Sequence, residues 1–148
     1  MFFNEEEMHK YLKKWQDILR LRDWDIRLEV VKVEWRKTGD IKIDAHDKRA
    51  VVMINNYNPK HENLEAVIIH ELMHLKLWNM DQMIEGLVYK VFGEDESDPK
   101  FDFAYTQFMN VLETTTEDIS KAFLQLGGEN KELSFGRIQK QVDKELGI

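Results

Sequence analysis

The sequence predicts an α+β fold in a single domain, on three observations. The chain has 148 residues, enough for one hydrophobic core. Its apolar residues recur at helical spacing at both ends and at a period of two in between. Hydrophobic residues make up 43% and charged residues 33%, the balance of a folded globular protein rather than a disordered one.

The first element is an amphipathic helix over residues 4–22. Met8, Tyr11, Leu12, Trp15, Ile18 and Leu19 recur at three and four. Asn4 followed by Glu7 resembles a capping box, and Glu5, Glu6 and Glu7 suit the positive end of the helix dipole. From Trp24 the period changes to two. Ile26, Leu28 and Val30 alternate with Asp25, Arg27 and Glu29, and Val31, Val33 and Trp35 continue one step out of phase. That slip predicts a strand with a bulge at Val30 and Val31. A turn at 37–40, a short strand at 41–44, a polar turn at 45–49 and a third strand at 50–55 follow.

Asn56, Tyr57, Asn58 and Pro59 break the sheet pattern. A second helix is expected to start between Pro59 and Asn63 and to end between Trp78 and Met80. Asp81 can cap a third helix through Met83, Ile84, Leu87, Val88, Val91 and Phe92. An acidic loop at 93–99 leads to a long helix over 101–126. Its expected stripe is Phe101, Ala104, Phe108, Leu112, Thr115, Ile119, Ala122 and Leu126, and Gly127-Gly128 ends it. Thr114, Thr115 and Thr116 are weak helix formers in its middle, so packing must hold that stretch. Residues 1–128 thus form the expected domain. Residues 129–148, with Leu133, Phe135, Ile138, Val142 and Leu146, form a tail expected either to dock on the body or to move.

Charge and composition narrow the chemistry. The net charge is −7 and no basic stretch stands out, which argues against nucleic acid and anionic membrane as partners. Without cysteine there is no disulfide, and any metal must be held by His, Asp or Glu. No basic and apolar leader and no membrane-length apolar run are evident, so a cytoplasmic location is expected.

The chemistry-bearing stretch is His70-Glu71-Leu72-Met73-His74, an H-E-x-x-H pattern inside an apolar helical run. On a helix His70 and His74 lie one turn apart on one face, and Glu71 lies about 60° round from His74. Two imidazoles can share a metal there with a carboxylate beside its open side, the arrangement of zinc hydrolases with Glu71 as general base. Buried His and Glu without partners are costly, and a metal is the simplest common partner. His9, His46 and His61 are expected to be solvated.

A catalytic zinc usually takes a third protein ligand. Leu77 and Met80 stand where the metzincin extension needs Gly and His, so the ligand must come from another element. Asp81, Glu85, Asp102, Glu113, Glu117 and Asp118 are the candidates. Glu113 is favoured because its helix can run beside the metal helix. Glu117, one turn further, could accept the free ring N–H of a metal-bound His.

H-E-x-x-H on one helix and Glu113 with an acid one turn later on another resemble the gluzincin, thermolysin-like zinc metallopeptidases. In outline the chain is similar to the minigluzincins and to small bacterial and phage proteins with the same motif. The resemblance implies a zincin-like fold: an N-terminal helix, a small three-stranded sheet, the H-E-x-x-H helix and a "glutamate helix". It implies a Zn2+ cofactor held by His70, His74 and Glu113, peptide-bond hydrolysis with Glu71 as base, and a peptide or protein substrate. The acid one turn after Glu113 is Asp in that family and Glu117 here. The strand at 51–55 resembles the edge strand that pairs with substrate, and a tail that folded back could cover the cleft and bring Asp143 or Glu145 to the metal. Tyr105 matches an oxyanion-stabilising position in outline but is better read as core. Peptide deformylases share H-E-x-x-H but need a cysteine ligand, absent here. A non-catalytic zinc-binding or interaction module with the same helix is the alternative, and so is a protein with no metal at all.

Overall fold

The structure, a computed structural model, describes residues 2–133 and 135–148, apart from the side chains at 136 and 137. The described elements run α1 (Glu5–Ile18), β1 (Asp25–Val31), β2 (Gly39–Asp44), β3 (Arg49–Asn55), α2 (Leu64–Lys76), α3 (Trp78–Phe92), α4 (Pro99–Gly127) and α5 (Gly136–Leu146). The three strands form one mixed sheet, so the fold is α+β.

The core is centred on α2. Leu64, Val67, Ile68, Ile69, Leu72, Met73 and Leu75 are all buried. Met8, Tyr11, Leu12 and Trp15 of α1, Ala50, Val52 and Ile54 of β3, and Leu124 of α4 close the core around them. A helix that is apolar on nearly every side has to sit in the middle of the protein. Its few polar side chains therefore meet other elements. Asn63 caps it by accepting the Ala66 N–H. α1 starts as expected, with Asn4 Oδ1 accepting from the Glu6 and Glu7 N–H groups. Pro99 at the first position and Asp98 as cap start α4.

The sheet order is β1-β3-β2, with β1 parallel and β2 antiparallel to β3. Two expectations change here. The strand at 51–55 is central, so it has no free edge; β2 does. The β1–β3 pairing runs unbroken from Asp25 with Arg49 to Val31 with Asn55, so there is no bulge at Val30 and Val31. The strand simply ends where the alternation changes phase. The β2–β3 turn is held by Asp44 Oδ1, which accepts from the His46 and Asp47 N–H groups.

Helices α3 and α4 differ from expectation. α3 begins at Trp78, one residue after α2 ends, so Asp81 lies inside its first turn and caps nothing. In α4 the buried residues are Phe101, Phe108, Thr116, Ser120 and Leu124, while Leu126 is exposed. The stripe drifts round the helix because 3.6 residues per turn do not match a strict spacing of three and four. Of the threonine stretch only Thr116 is fully buried, while Thr114 is exposed and donates its hydroxyl to the Asn110 carbonyl. Beyond α4, the apolar side chains of Phe135, Ile138, Val142 and Leu146 are exposed, so that face of α5 is not docked on the body. No helix among the described residues is long and apolar enough to cross a membrane.

One buried carboxylate joins three elements. Glu65, at the start of α2, is 1% exposed. Lys14 Nζ and Trp15 Nε1 of α1 donate to its Oε1 at 2.6 and 2.7 Å, and the backbone N–H of Glu129 donates to its Oε2 at 2.8 Å. Lys14 also donates to the Gly127 carbonyl at the end of α4. The far end of α4 is thereby tied to the start of α2. Truncating one partner of such a buried pair strands the other, at about 3–5 kcal/mol. Urea unfolding of Glu65→Ala is expected to show a loss of that size; a change under about 1 kcal/mol would contradict it.

Candidate metal centre

Two elements build the site. Near the middle of α2 its face turns toward α4, and His70 and His74 point there from successive turns. Their rings meet edge to face with centroids 4.9 Å apart. Both are largely covered, with side chains 19% and 17% exposed. α4 runs alongside and brings Glu113 to both. Glu113 Oε1 is 3.1 Å from His74 Nε2, and its Oε2 is 3.6 Å from His70 Nε2. Ligand atoms of these three residues all lie within 4.8 Å of one another. A tetrahedral zinc with bonds of about 2.0–2.1 Å sets its ligands about 3.3 Å apart. Each His–Glu113 separation is close to that spacing, though to a different Glu113 oxygen, so His70, His74 and Glu113 form a donor set that could hold such an ion.

Glu117, one turn beyond Glu113, comes within 2.7 Å of His70 Nδ1 through its Oε2. The approach is close but poorly directed, and His70 Nδ1 is otherwise buried without a hydrogen bond. This is the placement expected of a carboxylate that fixes the tautomer of a ligand His. Of the other candidates, Asp81, Glu85, Asp102 and Asp118 do not join the cluster among the described residues. Tyr105 stacks with Tyr89 and Phe101. His9, His46 and His61 are exposed.

The electrostatics follow from two carboxylates facing a largely buried imidazole. Burial alone would lower the pKa of His70, but Glu113 and Glu117 outweigh it and push it up to about 10. His70 and His74 in turn hold Glu113 well below the usual carboxylate range, and His70 does the same for Glu117. In the metal-free protein a proton therefore occupies the ground a cation would take. Glu71 behaves in the opposite way. It is 7% exposed, and burial raises its pKa from 4.5 to about 7 against the pull of His70 and His74.

Gly39 and Asp40 of β2 are the neighbours that sequence reasoning missed. A Cβ at position 39 would stand 2.9 Å from Val67 Cγ1 and 3.2 Å from Glu71 Oε1, so only glycine lets β2 approach this closely. Asp40, itself held low by Lys37 and Lys42 against the effect of its burial, adds negative charge that helps raise Glu71. The only signal in the sequence was a glycine opening a short strand.

Glu117→Gln is expected to weaken zinc binding about 10–100-fold, measured by competition with a chelator, while the fold persists. An unchanged affinity would mean that Glu117 does not orient His70.

No protein-family model matches the chain, and comparison with curated proteins and with solved structures finds no match.

Proposed function

We propose that this protein is a zinc-dependent hydrolase, a small metallopeptidase that cleaves peptide bonds. The observation that carries this reading is the convergence of His70, His74 and Glu113 at zinc-ligand spacing with the buried Glu71 carboxylate one residue along from His70. His70 Nε2, His74 Nε2 and Glu113 would hold the ion, and Glu117 would orient His70. Zinc bound there would supply a Lewis acid that polarises the scissile carbonyl and acidifies water. Glu71 would take the proton of the attacking water on its carboxylate and pass it to the leaving amine. Burial raises its pKa in the metal-free protein, so this carboxylate holds a proton more readily than an exposed glutamate. β2 would align the substrate: it is the free edge of the sheet beside α2, and an extended peptide can add to such an edge.

The test is hydrolysis of a mixed peptide library by the zinc-loaded protein. Cleavage is expected to stop with a chelator, to return with zinc, and to be absent in Glu71→Gln. Stoichiometric zinc with no cleaved peptide would favour the non-catalytic module instead.

A further inference from the structure

Away from the metal, the seam between α3 and α4 opens into a cavity of about 400 Å³ walled by Tyr89, Phe101 and Tyr105 and rimmed by Glu94, Glu96 and Asp102. The three rings are close to parallel. Tyr89 and Tyr105 differ by 8° with centroids 6.1 Å apart, Phe101 and Tyr105 by 24° at 5.5 Å, and Tyr89 and Phe101 by 26° at 5.9 Å. Among the described residues none of the three rim carboxylates forms an ion pair. Aromatic faces carry negative potential, and unpaired carboxylates at a partly enclosed site add to it. An anion is therefore repelled, and a purely apolar ligand would leave the rim charges facing it. A bare metal ion would have no use for three rings. A planar cation satisfies both parts: it can lie on the exposed side of the stacked Tyr89 and Tyr105 rings, with Phe101 buried behind them, while its N–H groups reach carboxylates.

We propose that this cavity binds a guanidinium group, the side chain of an arginine in the substrate peptide. The second half of this statement rests on the peptidase reading; the first does not. Position supports the link. Tyr105 and Asp102 lie eight and eleven residues before Glu113 on the same helix, about 12–16 Å along its axis. An extended peptide covers that distance in about four or five residues. The cavity would thus select an arginine at that separation from the bond cut, with the acidic seam drawing it in.

Two measurements on the full chain test this. In the first, Nα-acetyl-arginine amide and its neutral analogue Nα-acetyl-citrulline amide are titrated in parallel, with the ring signals of Tyr89 and Tyr105 followed by NMR. The arginine probe is expected to shift both and to bind about tenfold more tightly than citrulline. A Glu94→Gln, Glu96→Gln, Asp102→Asn triple variant, altered only at the rim, should lose that difference. Equal binding of the two probes, or a difference that survives in the triple variant, overturns the guanidinium site. In the second, zinc-loaded protein cleaves paired peptides with arginine or citrulline four or five residues from the cleaved bond. Arginine is expected to raise kcat/KM about tenfold in the wild type and not in the triple variant. If the probe binds and the peptides are cleaved equally, the guanidinium site stands and its role in substrate choice falls. If no peptide is cleaved, the peptidase reading and that role fall together, while the titration still decides the site.

Discussion

Zinc-loaded protein carrying Glu71→Gln is expected to keep its metal and to lose about 10²–10⁴-fold in peptide hydrolysis. Glutamine fills the same space but cannot take a proton from water. Its neighbours His70 and His74 keep their positions because α2 is buried on nearly all other sides. A second consequence runs the other way. Burial raises Glu71 above its ordinary 4.5 to about 7. A folded value above the unfolded one means that stability is fully present below the unfolded pKa and falls as pH rises from about 4.5 to about 7. The glutamine variant has no such slope. Without metal at pH 8 it is expected to be more stable than wild type by about 2–3 kcal/mol. Thermal or urea unfolding at pH 5 and pH 8 measures this directly. Equal slopes in the two proteins would mean that Glu71 is not held charged against its surroundings. Loss of zinc from the variant would mean that Glu71 is a ligand.

His74→Ala is expected to remove stoichiometric zinc, with affinity falling at least about 10³-fold, more than an orienting residue costs. Wild-type protein at about 1,000 times its Kd in free zinc gains about 4 kcal/mol of stability, and the variant should gain none. Metal analysis and unfolding with and without zinc read the two effects. The pH dependence follows from His70. Its proton must leave when metal binds, so zinc affinity should climb about tenfold per pH unit through neutrality. Without metal the signs are different. The contribution of His70 to stability is fully present below 6.5 and is lost as pH rises through about 10. The contributions of Glu113 and Glu117 are present above 4.5 and fade as pH falls. An affinity flat in pH would show that no proton is displaced from His70.

Much of the site was legible because its residues obey short-range rules. The four-residue spacing of His70 and His74 places them on one face wherever α2 lies, and Asn63 and Gly127 mark helix ends through local chemistry, whereas Asp98, read as part of a loop, proves to cap α4. Glu113 was reachable because a zinc centre demands a third ligand and few acids lay on an element able to provide one. What stayed hidden depends on distant contacts. A period of two shows that 50–55 is a strand but carries no strand order, so the free edge was assigned to the wrong strand. Helix drift over the 29 residues of α4 moved burial to Ser120 and Leu124 and left Leu126 outside. Asp81 has the chemistry of a cap, yet α3 starts before it because Leu77 alone separates the two helices. Nothing in the sequence sets Glu65 apart from the other acids. Its buried partners come from residues 14, 15 and 129, which no local pattern connects.

The tie made by Glu65 also bears on how fast metal arrives. With α4 fastened to α2 at the far end, and Glu113 and Glu117 already beside His70 and His74, the candidate ligands stand close together without an ion. Zinc uptake by the apoprotein is then expected to be a capture event rather than a folding event. Stopped-flow mixing should give one phase whose rate rises linearly with zinc concentration, with far-UV circular dichroism constant throughout. A plateau in that rate, or a gain of helix during uptake, would show that α4 docks only after the metal.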